Sequence, residues 1–520
     1  MDKDTRIRMI ITVVLCTVLF VGWQFIFMPK KQVTVADNSS EPIQAPTVAA
    51  DSADSIVVPV DTPVDIPVSG TPLVYMPPFT VDTSDFSIGF DTDSGDIRFV
   101  SLSAYKDNAN EAPVFIRSDN EGSNYASFTA GISSGYTHAV ERQPEGTVVT
   151  FTAENDILRI VKQYLLPDKG YHIPMVLSAE NLSGDIRAVP VNVTVGPDLG
   201  KGFGADSYVF VGPIIHNKGG TEKKKAKDVK KTLALSEPLW GGYTSKYFIF
   251  AVFAGGFNYA DITKSGNSAV TAFHGTMNIA PGATNSVNDL ALYVGAKEYE
   301  TLKAFGIDLQ KSIDYGWFFF LAIPMTKIMN FAYGFVHNYG IAIIILTIIV
   351  KVITLPLTLK SMISMRAMSK LQPEMVKIRE QYKGDPQKMN AATMDLYKKH
   401  KVNPMSGCLP MIVQLPIFFA LYKSLLVSIE LKGAPFFAWI VDLSAKDPYY
   451  ITPILMGASM FLQQKMTPAT ADPMQRKIFL MMPVIFTFLF LSFPSGLVVY
   501  WLTNNILSIA QQYVINKRVK

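Results

Sequence analysis

The apolar positions of the chain fall into distinct regimes. Residues 9–28 form one apolar run behind Arg6 and Arg8. At about 1.5 Å per residue a helix of this length just spans a bilayer core of roughly 30 Å. No small-x-small site closes the run, so residues 1–31 read as a retained anchor with a cytoplasmic N-terminus rather than a cleaved signal peptide. Residues 32–78 are crowded with Pro, Ala, Val, Thr, Asp and Ser without periodicity, which predicts a flexible linker. Over 79–312 the pattern changes to short β-type runs between Gly, Asn, Asp and Pro, among them 96–103, 147–153, 158–166, 189–195, 246–254 and 286–295. Many short strands without helical periods predict a β-sandwich. The basic stretch 223–231 reads as a solvated loop within it.

Beyond residue 312 the chain turns helical. Trp317, Phe318, Phe319, Phe320 and Tyr333 mix with Lys327 and His337 around Pro324, which predicts an amphipathic helix over 313–338 in the membrane interface, with a true span as the rival. Five apolar spans follow, at 340–359, 409–428, 449–464, 478–493 and 496–513, within a core of residues 339–515. The last three are short, at about 24–27 Å, and short spans thin the bilayer around them. Between the first two lies a charged stretch, 361–406, that reads as a helical hairpin. Its turn is Gly384, Asp385 and Pro386, with Asp385 as N-cap and Pro386 as first helical residue. Pro373 is expected to interrupt the first arm. Met365, Met368, Met375 and Met389 recur with Leu371, Ile378 and Leu396 at helical spacing. Such a stripe either zips the arms together or offers an adaptable surface to substrates.

Charge orients these elements. Residues 32–311 carry 21 Lys+Arg and 32 Asp+Glu, a net of −11; the remaining residues carry 26 and 11, a net of +15; the two sum to the chain's +4. Basic loops stay cytoplasmic, so six spans with the N-terminus inside place every basic loop and the basic tail (516–520) inside, and the acidic sandwich outside. The acidic surroundings of 223–231 argue against sequence-specific nucleic-acid binding. Two cysteines, Cys16 and Cys408, both beside apolar runs, exclude a disulfide framework for the sandwich.

Lys351 is the residue that demands an explanation. It sits inside the span 340–359, nine residues before Lys360. A lysine at this depth opposes insertion by a few kcal/mol and therefore faces a polar cavity or a partner. Thr347 lies one turn away on the same face. No Asp or Glu stands near that depth in the other spans, since Glu430 is at an outer end. Polar residues do: Gln414, Gln463 and Gln464, and the helical stripe Tyr500, Asn504, Ser508, Gln511, with Trp501 beside it. Together they suggest a wet groove, the alternative being interhelical hydrogen bonds of the usual kind. The six histidines are scattered, and no catalytic constellation, metal-ligand spacing, phosphate loop or cofactor motif appears. A transporter fits the same cation, but paired repeats are not seen. A passive scaffold displaying the sandwich leaves Lys351 unexplained.

Several stretches resemble the YidC/Oxa1/Alb3 insertases: Asn403 and Pro404; Gly407, Cys408, Leu409 and Pro410; Gln414; Pro416, Ile417 and Phe418; Asp442, Leu443 and Ser444; Asp447, Pro448, Tyr449 and Tyr450; Asp472, Pro473, Met474 and Gln475; and Phe493, Pro494, Ser495, Gly496 and Leu497. The anchor and the large external domain are similar to the Gram-negative form. The resemblance implies an α-helical membrane protein, with an N-terminal anchor, a five-helix core and a cytoplasmic hairpin, that carries a large periplasmic β-supersandwich akin to sugar-binding folds. It implies a non-enzymatic insertase and chaperone of the inner membrane without cofactors. Its groove opens to the cytoplasm and to lipid, and substrate helices slide along 409–428 and 496–513. Implied partners are nascent membrane proteins, the Sec translocon, signal-recognition machinery and ribosomes, although the short tail argues against ribosome contact through it. The family usually has arginine where this chain has Lys351.

Overall fold

A computed structural model describes residues 78–106, 113–117, 123–197, 199, 209–229, 232–266, 268–287, 289–400, 402, 409–466 and 473–518. The expected anchor, the linker up to residue 77, the motif residues 403–408 and 472, and the last two tail residues lie outside these.

The predicted sandwich forms as two antiparallel sheets. The first, of nine strands, runs in the order Phe79–Asp82, Phe86–Phe90, Ile97–Lys106, Ala126–Ala130, Arg187–Val195, Ser268–Ile279, Tyr259–Ser265 and Leu233–Ser236, with Pro113–Arg117 attached to Ile97–Lys106. The second, of ten, runs Gly220–Lys223, Gly212–Asn217, Pro238–Thr244, Phe248–Ala254, Leu290–Ala296, His172–Asn181, Leu158–Pro167, Gly146–Glu154 and Thr137–Gln143, with Thr284–Val287 on His172–Asn181. In the peripheral strand Leu158–Pro167 alternate residues are buried, as expected when one face meets the core and the other water. The central strands Phe248–Ala254 and Leu290–Ala296 are buried almost throughout. Their second face is covered too: Ile249, Ala251, Trp240 and Tyr293 share a core with Leu309, Ile313 and the helices.

The stretch 286–295, expected as one strand, is two. Asp289 takes a left-handed φ of 59° between Thr284–Val287 and Leu290–Ala296. The stretch 223–231 is also not simply a solvated loop. Lys223 ends a strand and is half-buried, and Val229 is buried.

Nine helices are used below: α1 (Tyr299–Ala304), α2 (Phe319–Val336), α3 (Tyr339–Lys370), α4 (Gln372–Gln381), α5 (Pro386–Lys399), α6 (Leu409–Val427), α7 (Ile451–Met466), α8 (Pro473–Phe490) and α9 (Ser495–Arg518). By length and composition α2 and α3 could each cross a membrane; α6 and α8 contain shorter apolar stretches. Two expectations change. The first span does not stop near residue 359: α3 runs on for 32 residues through Pro356 into the expected hairpin. The last span likewise sits in a longer helix, because α9 has 24 residues and runs past the apolar stretch to Arg518. Helical hydrogen bonding does not end at a membrane surface, so the length of an apolar run underestimates both.

The hairpin turn forms as its sequence dictates. Asp385 accepts a hydrogen bond from Lys388 N at 3.0 Å, with Pro386 opening α5. Pro373 sits in the first turn of α4, and the chain breaks at Leu371 before it. In the bundle, α9 packs against α7 and α3, and α2 against α3 and α6, whereas α6 touches α3 and α9 only lightly.

Candidate functional site

The lightly packed space beside α3 is lined by polar side chains. Asn338 caps α3 by accepting from Ile341 N at 3.0 Å, and the helix then turns its residues in regular order. Ile348, Val352 and Ile353 are exposed on the outside of the bundle, while Lys351 faces inward and is half-buried. Lys351 Nζ donates to Ser508 Oγ of α9 at 2.7 Å. Among the described residues no carboxylate pairs with it. Ser508 Oγ in turn donates to Asn504 O at 2.7 Å. The cation therefore rests on a neutral hydroxyl, which supplies dipole but no counter-charge.

A second link crosses from α9 to α6, where Gln414 Nε2 donates to Tyr500 Oη at 2.8 Å. Tyr500 is fully buried. Farther along α9, Gln511 has a buried Oε1 without a hydrogen-bond donor, as does Gln464 of α7. A buried acceptor left without a donor carries a desolvation penalty unless water or another molecule supplies a donor. Gln511 lies on the α9 stripe that meets Lys351, so that stripe carries an acceptor without a donor among the described residues.

Not every expected residue joins this seam. Thr347 is fully buried and its hydroxyl donates to Ile343 O at 2.6 Å, within its own helix. Trp501 packs edge-on against Phe418 and tilted against Phe486 and Phe490, in an aromatic cluster between α6, α8 and α9. Asn504 is half-buried. On the hairpin Met365, Met368, Met375 and Met389 are all half-buried, and Met375 Sδ accepts from Tyr397 Oη at 3.2 Å.

The structure also adds polar positions. Thr354 and Thr358 continue the face of Lys351, their hydroxyls donating to Val350 O and Thr354 O. Their spacing of three and seven from Lys351 could have found them. Asn505 donates to Ser459 Oγ at 3.0 Å and Gln512 to Met466 O at 2.8 Å, so a second stripe on α9 holds α7. At Gly457 of α7 a Cβ would meet Thr487 Oγ1 of α8 at 1.9 Å, which only glycine allows.

The far end of the seam is packed shut. Ile343, Leu346, Leu443, Leu497 and Val498 are buried together there. Asp447 locks the adjoining loop by accepting from Thr452 N at 2.7 Å and Tyr449 N at 2.9 Å. Gly496 N and Ser495 Oγ tie the start of α9 to Leu443 O and Ala445 O.

A separate charge cluster lies where the sandwich meets the helices. Lys297 is buried and donates to Thr244 Oγ1 at 3.2 Å and to Ser245 O. Burial pushes its pKa down to about 7; nearby Lys223 pushes the same way and Asp314 opposes. Burial also lowers Lys223, with Asp314 opposing. Burial acts to raise Asp314, yet Lys423 of α6, 3.8 Å away, and Lys223 hold it below the usual carboxylate range. Sequence reading missed this cluster, because its members come from four distant segments.

Fold and site together define a helical membrane protein with a two-sheet external domain and an intramembrane cation facing a neutral polar seam. Comparison with known proteins gives the family. The family model described as 60Kd inner membrane protein matches residues 331–520, and that described as YidC periplasmic domain matches residues 78–328. The membrane protein insertase YidC of Syntrophus aciditrophicus (strain SB) is 39% identical over 548 residues, covering 100% of each chain. That of Geobacter metallireducens (strain ATCC 53774 / DSM 7210 / GS-15) is 40% identical over 535 residues, covering 98% of each. A crystal structure of an active YidC insertase with its first transmembrane domain resolved aligns at 20% identity and a TM-score of 0.39, covering 84% of this chain and 93% of that one. The chain belongs to the YidC family of membrane protein insertases. The two-sheet part is its periplasmic domain, and the helical part belongs to the inner membrane.

Proposed function

We propose that the polar seam beside Lys351 is the path by which this insertase moves hydrophilic segments of nascent membrane proteins across the inner membrane. One observation carries the reading: the Lys351 ammonium has a hydroxyl at 2.7 Å and, among the described residues, no carboxylate partner. An intramembrane cation without a counter-ion attracts an acidic segment, and the unmet acceptor at Gln511 favours a wet seam. Packing by Leu443 and Leu497 supports a path closed on the periplasmic side and open to the cytoplasm. Thin contact of α6 with α9 supports a lateral gate along which substrate helices slide into lipid.

In this reading α3 and α6 to α9 are the five core spans, residues 1–31 the anchor, 32–78 the linker and 79–312 the periplasmic domain. Both termini are cytoplasmic. The helix within 313–338 lies in the outer interface, with Trp317, Phe319, Phe320, Phe331 and Phe335 turned outward. The basic hairpin α4–α5 receives incoming chains, with Met365, Met368, Met375 and Met389 as contacts. The Sec translocon, signal-recognition machinery and ribosomes are the partners that the family resemblance implies.

The test is purified protein in liposomes, offered a single-span substrate with an acidic external segment. Protease protection of that segment, without leakage of a trapped solute, is the expected result. Solute flux without insertion favours a transporter and overturns the proposal. Neither flux nor insertion leaves a passive scaffold.

A further inference from the structure

The acidic external domain carries one basic stretch, and the fold sets its start against the helices. Lys223 closes the edge strand Gly220–Lys223. The chain continues through Lys224 and Lys225 into a short turn of 3-10 helix, Ala226–Asp228, and is pinned by buried Val229. Lys224 is half-buried, and Lys225 and Lys227 are exposed. Residues 222–228 thus hold four lysines against Glu222 and Asp228. Position sets this stretch apart from an ordinary solvated charge run. Lys223 is near enough to Asp314 and Lys423 for both to act on its charge. Asp314 is shared with Lys423, whose Nζ lies 3.8 Å from Asp314 Oδ2. The Lys423 stem covers Gly316, where a Cβ would come within 3.5 Å of Lys423 Cε. Trp317 follows Gly316 and is 69% exposed, with Phe319 and Phe320 exposed after it. The basic stretch therefore starts at the level where α2 turns its aromatic side chains outward.

We infer that Lys224, Lys225 and Lys227, continuing from Lys223, form a docking surface for anionic phospholipid headgroups of the phosphatidylglycerol type in the outer leaflet. The inference rests on the interfacial placement of α2 proposed above. An exposed tryptophan at a bilayer surface sits at headgroup depth, so Trp317 sets the level of the lysines tied to it through Asp314 and Lys423. Lysine suits a fluid lipid surface, because an ammonium on a flexible stem follows a phosphate without demanding one fixed geometry. Charge also selects the lipid. A choline headgroup carries a cation that offsets its phosphate, whereas phosphatidylglycerol presents the phosphate charge alone. The acidic balance of the domain argues against nucleic acid, which would meet a wide surface, but does not oppose a bilayer that meets only the basic end. The same anionic surface repels the rest of the domain. Attraction at residues 223–227 and repulsion elsewhere therefore orient the domain with this end down.

The experiment uses the full chain in nanodiscs of choline phospholipid, with either phosphatidylglycerol or choline phospholipid bearing brominated acyl chains as an equal minor component. Quenching of Trp317 fluorescence is read as the difference between wild type and Trp317→Phe. At low salt the phosphatidylglycerol probe is expected to quench more, its local share raised about fivefold for each lysine in reach. At about 1 M salt the screening length falls to about 3 Å, and the two probes are expected to quench alike. The triple variant Lys224→Gln, Lys225→Gln and Lys227→Gln is expected to lose most of the preference at low salt, and the corresponding triple arginine variant to keep it. A preference undiminished by salt or by the glutamine substitutions overturns the docking surface. Equal quenching of the wild type by both probes at low salt overturns it too, while leaving α2 in the interface. No quenching by either probe overturns the interfacial placement itself.

Discussion

Lys162 of the periplasmic half and Lys351 of the membrane half are held in opposite ways. In the periplasmic domain Lys162 is fully buried, and Asp96 Oδ1 at 2.8 Å and Ser94 O at 2.6 Å satisfy it, with the Tyr136 ring 4.6 Å away. In the membrane half Lys351 is half-buried and, among the described residues, meets only a hydroxyl, Ser508 Oγ. A charge neutralised within the fold holds that fold together and has nothing left for a visitor. A charge met by a neutral dipole keeps most of its field, which acts on whatever enters. Pairing thus separates Lys162 from Lys351, the lysine that the proposed function rests on.

The largest test of this contrast is Lys162→Ala in the full chain. Leaving Asp96 buried without its cation, with Phe128 N and Asn124 Nδ2 still donating to it, is expected to destabilise the sandwich by about 3–5 kcal/mol, read as faster hydrogen exchange along Leu158–Pro167. Replacing Lys162 by Met and Asp96 by Asn together, which keeps an acceptor for Phe128 N, is expected to restore much of the loss. Next comes Lys351→Ala, expected to lower insertion of substrates with acidic external segments about tenfold, as the loss of one favourable interaction of about 1.4 kcal/mol requires, while Lys351→Arg retains activity. Unchanged insertion by the alanine variant would erase the contrast. A smaller effect, a few-fold, is expected for Tyr500→Phe, which removes the acceptor of the Gln414 bridge across the seam. Deleting most of 79–309 is expected to spare core insertion, since the seam is built from helices alone.

A further test concerns the junction. Lys297 titrates near 7 in the folded protein against an ordinary 10.5. Between these values the unfolded state holds the proton and the folded state does not, so stability rises with pH across this window. As pH falls through the window, protonation takes that stability away. Lys297→Met is expected to flatten the dependence, measured as thermal unfolding of the full chain in buffers spanning it.

Much of this architecture was legible beforehand because it rests on local chemistry. Strand alternation in Leu158–Pro167, the Asp385 cap and the break before Pro373 follow from neighbouring residues alone. Lys351 and the stripe Tyr500, Asn504, Ser508, Gln511 were legible from the oddity of polar groups in apolar runs. Trp501 and Thr347 were read onto the seam by proximity in sequence, but helix rotation turns Trp501 into an aromatic cluster and Thr347 into its own backbone.

The sequence alone therefore determined the two-part plan and the presence of an intramembrane cation, because hydrophobic period and charge are local sums along the chain. It could not determine which hydroxyl would meet that cation. Ser508 lies 157 residues from Lys351, and only the packing of α9 on α3 brings them together. The same holds for the Lys223, Lys297, Asp314 and Lys423 cluster. Its charges were visible, but their burial, and hence their energetics, exists only where four segments close over one another.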